Sequence, residues 1–349
     1  MKNLYVITLE KIEQRYTKQW YKLWKQEFSK EFNVIYIDGP EMSDIIDKGR
    51  FLDINKTNIW KAKQVETISK LFAEGKIKDE DKFIFMDGWH FGITALKYMA
   101  QLSNIRSQIY TFFHAGSWDK FDFVSQAGLG KWAKHNERGW FRACDGHFVA
   151  TKFHKQLILK YFGDKSLNDK IHVVGFPANW MQFIKDENIQ SSTGKKNLVI
   201  FPHRLDKEKQ PEVFDKIDAR LSKSTDTKFV KTLEVTKNKK EYYELIRDAR
   251  VCFSSSLQET YGIGTVEALM FGVIPLVPDT LSYVELYDKQ FRYKDFNDAA
   301  NKMESFLREP DKYMNQLYDN QKNMIRQSLE AIPLMCKYMK KIEEGRGIK

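Results

Sequence analysis

Two doubly wound α/β domains facing each other are what this sequence predicts, and three observations predict them. Short apolar runs alternate with amphipathic stretches through both halves of the chain, which is the rhythm of parallel strands and crossover helices. A polar tract, residues 185–196, interrupts that rhythm once. At 349 residues the chain also exceeds what one hydrophobic core usually serves.

In the first half, Leu4–Leu9, Asn33–Ile37, Lys82–Met86, Gln108–Phe113, Gly146–Ala150 and Ile171–Val174 read as strands bounded by polar or glycine residues. Their runs are continuously apolar, so the sheet is parallel and covered on both faces. Ile12–Phe28, Ile59–Phe72, Ile93–Leu102 and Lys152–Tyr161 read as the intervening helices. In the second half the strands are Leu198–Phe201, Lys228–Thr232, Val251–Ser254 and Ile274–Val277. The helices there are Pro211–Leu221, Lys239–Ala249, Thr265–Phe271, Asn297–Leu307 and Met324–Glu344. The expected division is a first domain over 1–184, a linker over 185–196, a second domain over 197–330, and a final segment 331–349 that crosses back. In such sheets ligands bind beyond the carboxyl ends of the strands.

Composition narrows the class. Hydrophobic residues at 42% and charged residues at 30% are globular and exclude wholesale disorder. No stretch approaches the ~20 apolar residues of a membrane span. The first apolar run is too short, and too soon followed by charge, for a signal peptide, so a cytoplasmic protein is expected. Cys144, Cys252 and Cys336 lie far apart, which fits neither a zinc ribbon nor a disulfide framework. Seven histidines without paired spacing predict no metal site, and no phosphate loop, HExxH helix or GxSxG elbow occurs. The net charge of +10 is uneven: residues 1–175 carry 28 basic and 21 acidic side chains, and the rest 29 and 26. The excess in the first half suits an anionic partner, and equally a Lys-rich soluble surface.

The most informative stretch runs from Ser254 to Val277. A strand ends, a turn with Gly262 and Gly264 follows, and a helix begins near Gly264. The glycines allow close backbone approach, and the helix N-terminus around Ile263 and Thr265 offers free N–H groups to a phosphate. Glu259 and Glu267 flank the turn, and carboxylates accept hydrogen bonds from sugar hydroxyls. The pattern Glu259-x7-Glu267, followed by Ala268-Leu269-x-x-Gly272-x-x-Pro275, resembles the donor-site motif of retaining nucleotide-sugar glycosyltransferases of family 4, which have the GT-B fold. Upstream, Phe201-Pro202-His203-Arg204-Leu205-Asp206-Lys207-Glu208-Lys209 resembles the Arg-Leu…Lys segment of the same family.

The resemblance implies two Rossmann-like domains and a nucleotide-diphosphate sugar as donor, with no cofactor or metal required. It implies that Arg204 and Lys209 clamp the diphosphate, Glu259 holds the donor sugar and Glu267 the ribose. It places His114, in His114-Ala115-Gly116, near a sugar hydroxyl; as a lone residue this histidine is equally a structural one. Asp87 and His90, after the strand Lys82–Met86, are weaker acceptor-side candidates. Where many members carry a Gly-Gly loop after the first strand, this chain has Glu10-Lys11-Ile12-Glu13.

Arg15-Tyr16-Thr17-Lys18-Gln19-Trp20, Thr57-Asn58-Ile59-Trp60-Lys61, Leu96-Lys97-Tyr98-Met99 and His114-Ala115-Gly116-Ser117 look similar to glycosyltransferases of tailed bacteriophages, some of which decorate modified bases in phage DNA. On the expected first helix, Lys11, Arg15, Lys18, Lys22 and Lys25 recur at helical spacing, with Tyr16, Trp20, Tyr21 and Trp24 interleaved. Such a stripe fits double-stranded DNA with an extruded modified base; it fits an anionic membrane surface or a plain solvated face equally. The expected function is sugar transfer to a hydroxymethylated pyrimidine. A glycan or lipid acceptor, and a non-catalytic nucleotide-sugar or DNA-binding module, are the alternatives.

Overall fold

A computed structural model describes residues 1–12, 15–41, 53–190 and 194–345. Two compact units divide the chain: Met1–Pro177 with Glu330–Lys349, and Ala178–Leu329. In the first, β1 (Asn3–Ile7), β2 (Asn33–Ile37), β3 (Lys82–Phe85), β4 (Gln108–Phe112), β5 (Gly146–Val149) and β6 (Ile171–Val173) form one sheet in the order β2-β1-β3-β4-β5-β6. In the second, β7 (Leu198–Phe201), β8 (Lys228–Lys231), β9 (Val251–Phe253), β10 (Ile274–Pro278) and β11 (Arg292–Tyr293) lie in the order β11-β10-β9-β7-β8. Every pairing is parallel. Continuous apolar strands demand this, because helices must cover both faces. Tyr5, Ile7, Phe83, Phe85 and Ile109 are buried in the first core, and Leu198, Ile200, Tyr243, Ile246 and Cys252 in the second.

Each strand order reverses once, between β1 and β3 in the first sheet and between β7 and β9 in the second. Connections leave such a pair toward opposite faces, and a crevice opens beyond the strands' carboxyl ends. The first crevice is braced from below by Gln64, fully buried on the helix Ile54–Ala73, whose Nε2 donates to Thr8 O at 2.9 Å and Ile37 O at 2.8 Å. At the opposite edge, buried Lys82 donates to Gln108 Oε1 at 2.6 Å and pairs with Glu343 at 3.1 Å.

Several elements differ from expectation. The unit boundary falls at 177/178, and the tract read as a linker belongs to the second unit. Its first two residues, Lys185 and Asp186, end the helix Trp180–Asp186, whose Trp180 and Phe183 are buried and whose indole donates to Ser328 Oγ at 2.8 Å. Residues 191–193 of that tract lie outside the described residues. The first helix starts at Tyr16, not Ile12: Arg15 is extended, at φ −118° and ψ 158°. Residues 13–14, within the expected helix, also lie outside the described residues. The helix Gly130–Ala143 was not expected, and the last helix is longer than expected, Met314–Gly345. Among the described residues, no helix is long and apolar enough to cross a membrane.

Candidate functional site

A charged cluster of the second unit sits at its switch point. β7 and β9 are neighbours, with Val199 opposite Val251 and Ile200 opposite Cys252, so the loops that leave their carboxyl ends meet. The β7 loop supplies His203, Arg204 and Lys209; the β9 loop supplies Glu259. Lys209 Nζ lies 2.7 Å from Glu259 Oε1 and donates to Gln258 O at 2.7 Å. The loops are further stitched by Leu257 N donating to Glu208 O at 2.7 Å and by Ser255 Oγ donating to Lys209 O at 2.9 Å. Burial works against the charge on Glu259, yet Lys209, with smaller help from Arg204, outweighs it and holds the carboxyl below its ordinary value. An ammonium has three N–H donors, and these two bonds use two of them.

Arg204 leans the other way. Its Nη1 lies 2.6 Å from Asp206 and its Nη2 3.2 Å from Glu208. The structure therefore brings Lys209 and Glu259 into contact and leaves Arg204 on the rim of the same loop, half-buried. His203, which the sequence reading did not single out, is buried within the cluster: its Nδ1 lies 3.7 Å from Glu259 Oε1 and its Nε2 has no hydrogen-bond partner. Burial pushes its pKa down to about 3, so the ring is neutral at physiological pH. The signal that could have marked it is position, directly after the carboxyl end of a switch-point strand and before Arg204.

Next to this cluster the helix Ile263–Met270 begins. Gly262 caps it at φ 81°, where a Cβ would stand 2.9 Å from the Tyr283 ring, so glycine is required twice over. A Cβ on Gly264 would come 3.2 Å from Pro202, which is how closely the helix start packs on the β7 loop. Thr265 Oγ1 donates to Gly262 O at 2.8 Å and accepts from Tyr287 at 2.9 Å, locking the first turn. The first N–H groups of such a helix have no intrahelical acceptor, and they favour an anion. Glu267 is placed apart from Glu259's partners. Its carboxylate is buried, ion-paired with Lys239 and hydrogen-bonded by Tyr243 Oη at 2.9 Å.

In the first unit, the expected site residues are mostly satisfied within the fold. His114 Nε2 lies 3.0 Å from Met86 O and its Nδ1 3.3 Å from Tyr16 Oη; burial lowers its pKa. Both ring nitrogens thus join the first helix to β3 and β4. His90 is buried, accepts from Gly92 N at 2.8 Å and bonds Gln64 Oε1 at 3.0 Å. Asp87 accepts from Trp89 N at 3.2 Å and lines a cavity of about 50 Å³ with Thr8, Glu10, Thr57 and Lys61 at the β1/β3 switch point.

The basic stripe is corrected. Lys11 and Arg15 precede the helix, so the five cations do not share one helical face; Lys18, Lys22 and Lys25 do, and all three are exposed. Trp20 and Trp24 are fully buried against the sheet, Trp20 edge-on to Phe112, and neither can receive an extruded base.

No family model matches the chain. A curated relative, the tRNA-queuosine alpha-mannosyltransferase of Drosophila melanogaster, is 23% identical over 205 residues, 50% of this chain and 54% of that protein. The match thus spans about half the length of the relative. Among solved structures, an alpha,alpha-trehalose-phosphate synthase (UDP-forming) from Burkholderia vietnamiensis superposes with a TM-score of 0.67 at 10% identity, covering 100% of this chain and 99% of that one. The sucrose-phosphate synthase of Thermosynechococcus elongatus gives 0.66 at 13% identity, covering 99% and 100%. At these identities the likeness is one of fold, and it covers the whole chain. The protein has the two-domain, parallel-sheet α/β fold of these sugar-transferring enzymes, the GT-B fold expected from its sequence.

Proposed function

We propose that this chain is a retaining glycosyltransferase that moves a sugar from a nucleoside diphosphate to a hydroxyl carried by a nucleic acid. The observation that carries the reading is the Lys209–Glu259 pair at the β7/β9 switch point, beside a glycine-capped helix N-terminus. Lys209's third N–H and the amides of Gly262, Ile263 and Gly264 take the diphosphate, with Arg204 swinging from Asp206 and Glu208 to join them; the Thr265 amide is spent on Gly262 O at 3.1 Å. Negative charge grows on the diphosphate as the C1–O bond breaks, and preorganised donors aimed at it are commonly the largest catalytic term. Glu259 holds a hydroxyl of the donor sugar, kept ionised by Lys209 while the sugar binds. Glu267 serves the ribose through the same helix. The acceptor oxygen bonds C1 on the face the diphosphate leaves, and its proton passes to the departing phosphate oxygen.

For the acceptor, a hydroxymethylated pyrimidine in phage DNA is the expectation from sequence, with His114 and Asp87 on the acceptor side. The Drosophila relative, named for mannosyl transfer to a nucleoside of tRNA, supports the same general chemistry: a hydroxyl on a nucleoside within a polymer. The test is a donor-hydrolysis and transfer screen of UDP-, GDP- and ADP-sugars against hydroxymethylpyrimidine DNA, tRNA and lipid or oligosaccharide acceptors. Label transferred to nucleic acid is the expected result; label found only on lipid or glycan overturns the acceptor, and no hydrolysis of any donor overturns the enzyme.

A further inference from the structure

The helix Gly130–Ala143 carries an unusual distribution of charge. Its buried residues, Ala133, Glu137, Trp140 and Phe141, follow helical spacing and face the fold. Glu137 is the helix's one acid, and it is 0% exposed; its carboxylate accepts from Ser117 N at 2.8 Å, from Ser117 Oγ and from Trp89 Nε1 at 2.9 Å. The outward side is left with Lys131, Lys134, Arg138 and Arg142 and no acid of its own, though Arg142 reaches Asp164 of a neighbouring loop at 3.5 Å. Lys134 lies over the Tyr161 ring at 4.3 Å and Arg138 donates to Phe162 O at 3.0 Å, which ties this side to the next helix, Lys152–Phe162. Over residues 120–170 there are ten basic and five acidic side chains, and two of the five acids, Asp122 and Glu137, are buried. Among these cations Trp132 is 49% exposed.

A solvated helix face mixes both signs and keeps indoles inside. A cationic face with an outward indole is instead the composition that holds phosphates and stacks an unpaired base. It does not suit a membrane surface, because an interfacial helix needs its apolar face free for lipid, and here that face is the buried one. We propose that this side of the helix Gly130–Ala143 holds the nucleic-acid acceptor, with Lys131, Lys134 and Arg142 on phosphates and Trp132 stacked on an unpaired base. The proposal rests on the reading above that the acceptor is a nucleic acid, and it names the surface that grips it.

The test measures binding of a labelled RNA stem-loop, a DNA hairpin of the same sequence and a blunt DNA duplex over a range of salt concentrations, with phosphatidylserine vesicles as a fourth ligand. The triple variant Lys131→Gln, Lys134→Gln, Arg142→Gln should lose roughly two to three units of the logarithmic salt slope, at about 0.7–0.9 per phosphate contact. Trp132→Ala should weaken both hairpins on the order of 10-fold with the slope unchanged, Trp132→Phe should recover most of that, and the blunt duplex should not respond to either. Lys63→Gln with Lys70→Gln, which removes cations paired to Glu66, should leave the slope alone. The ratio of RNA to DNA hairpin affinity identifies which polymer is preferred. An unchanged slope in the triple variant, with binding intact, overturns the surface alone. Donor hydrolysis without binding of any nucleic acid overturns the acceptor reading together with it, and vesicle binding lost in the triple variant while hairpins stay unbound assigns the face to membranes.

Discussion

The two switch points of this molecule are built from the same topology and differ in what they do with charge. At the β1/β3 crevice the carboxyl of Glu10 is raised by burial, and His90 and Gln64 spend their polar atoms on one another and on the backbone. At the β7/β9 crevice, burial also opposes Glu259, but Lys209 at 2.7 Å reverses the outcome and His203 keeps an unpartnered nitrogen. The first crevice is a satisfied polar network, which specifies a structure. The second is a paired charge with spare hydrogen-bonding capacity, which suits the proposed donor site. Topology makes both crevices, and each holds a lysine, Lys61 in the first and Lys209 in the second; the direct 2.7 Å pairing of Lys209 with Glu259 marks the second as the proposed donor site.

The largest effect expected is structural. Removing one partner of a buried ion pair leaves the other charge uncompensated, so Glu267→Ala should cost about 3–5 kcal/mol in denaturant unfolding. Replacing both partners, Lys239→Met with Glu267→Leu, should restore most of it. A Glu267→Ala protein that unfolds like wild type but loses nucleoside diphosphate affinity would assign the carboxylate to the ribose alone.

Next comes the clamp. Lys209→Ala and Arg204→Ala should each lower kcat/KM for transfer on the order of 100-fold, through lost stabilisation of the leaving diphosphate. Turnover close to wild type in both, with intact folding, would erase the contrast between the crevices.

The first unit supplies a pH contrast. Burial first, with Asp119 and Glu137 adding to it, raises Asp122 to about 7. The native state then keeps a proton that the unfolded chain releases near 3.8, so this group's contribution is full below that pH and is lost as pH rises through 7. Asp122→Asn keeps the cap on Val124 N and removes the titration. Melting should show it more stable than wild type by roughly 1–2 kcal/mol at pH 8 and equal at pH 4. A pH-independent difference would mean that Asp122 is ionised in the native state.

The smallest effect belongs to His203. Its neutral ring has one nitrogen near Glu259 and one to offer a donor, so His203→Ala should lower transfer about 10-fold, the worth of one hydrogen bond to a charged or polar ligand group. His203→Asn should recover part of it. With a pKa near 3, the wild-type pH profile should show no inflection from this ring between pH 5 and 8.

Much of this was legible in the sequence because parallel strands buried on both faces leave continuous apolar runs, as in Phe83–Phe85 and Leu198–Phe201. The Lys209–Glu259 meeting was legible only through resemblance, since their contact depends on β7 and β9 being neighbours. The helix Gly130–Ala143 escaped notice because Glu137 occupies a core position, and a periodicity reading turns glutamate outward. The first-helix stripe misled for the complementary reason. The helical spacing includes Lys11 and Arg15, where the backbone is not yet helical, and the interleaved Trp20 and Trp24 are packed against the sheet. Lys239 carries no local mark: it matters only because the fold sets it against Glu267, 28 residues away.

The pairing of Lys82 with Glu343 has a consequence for how the molecule is made. The two residues are 261 positions apart, and the second unit's whole sequence lies between them. At about 5–20 residues per second, a ribosome needs roughly 15–50 s to travel from one to the other. From the translation of β6, which ends at Val173, until Glu330 emerges, the first sheet has all six strands yet lacks the helical segment from Glu330 onward, and the ammonium of Lys82 has Gln108 without its carboxylate. The second unit, continuous in sequence, can complete itself first. The N-terminal unit is the first to be translated and the last to be finished.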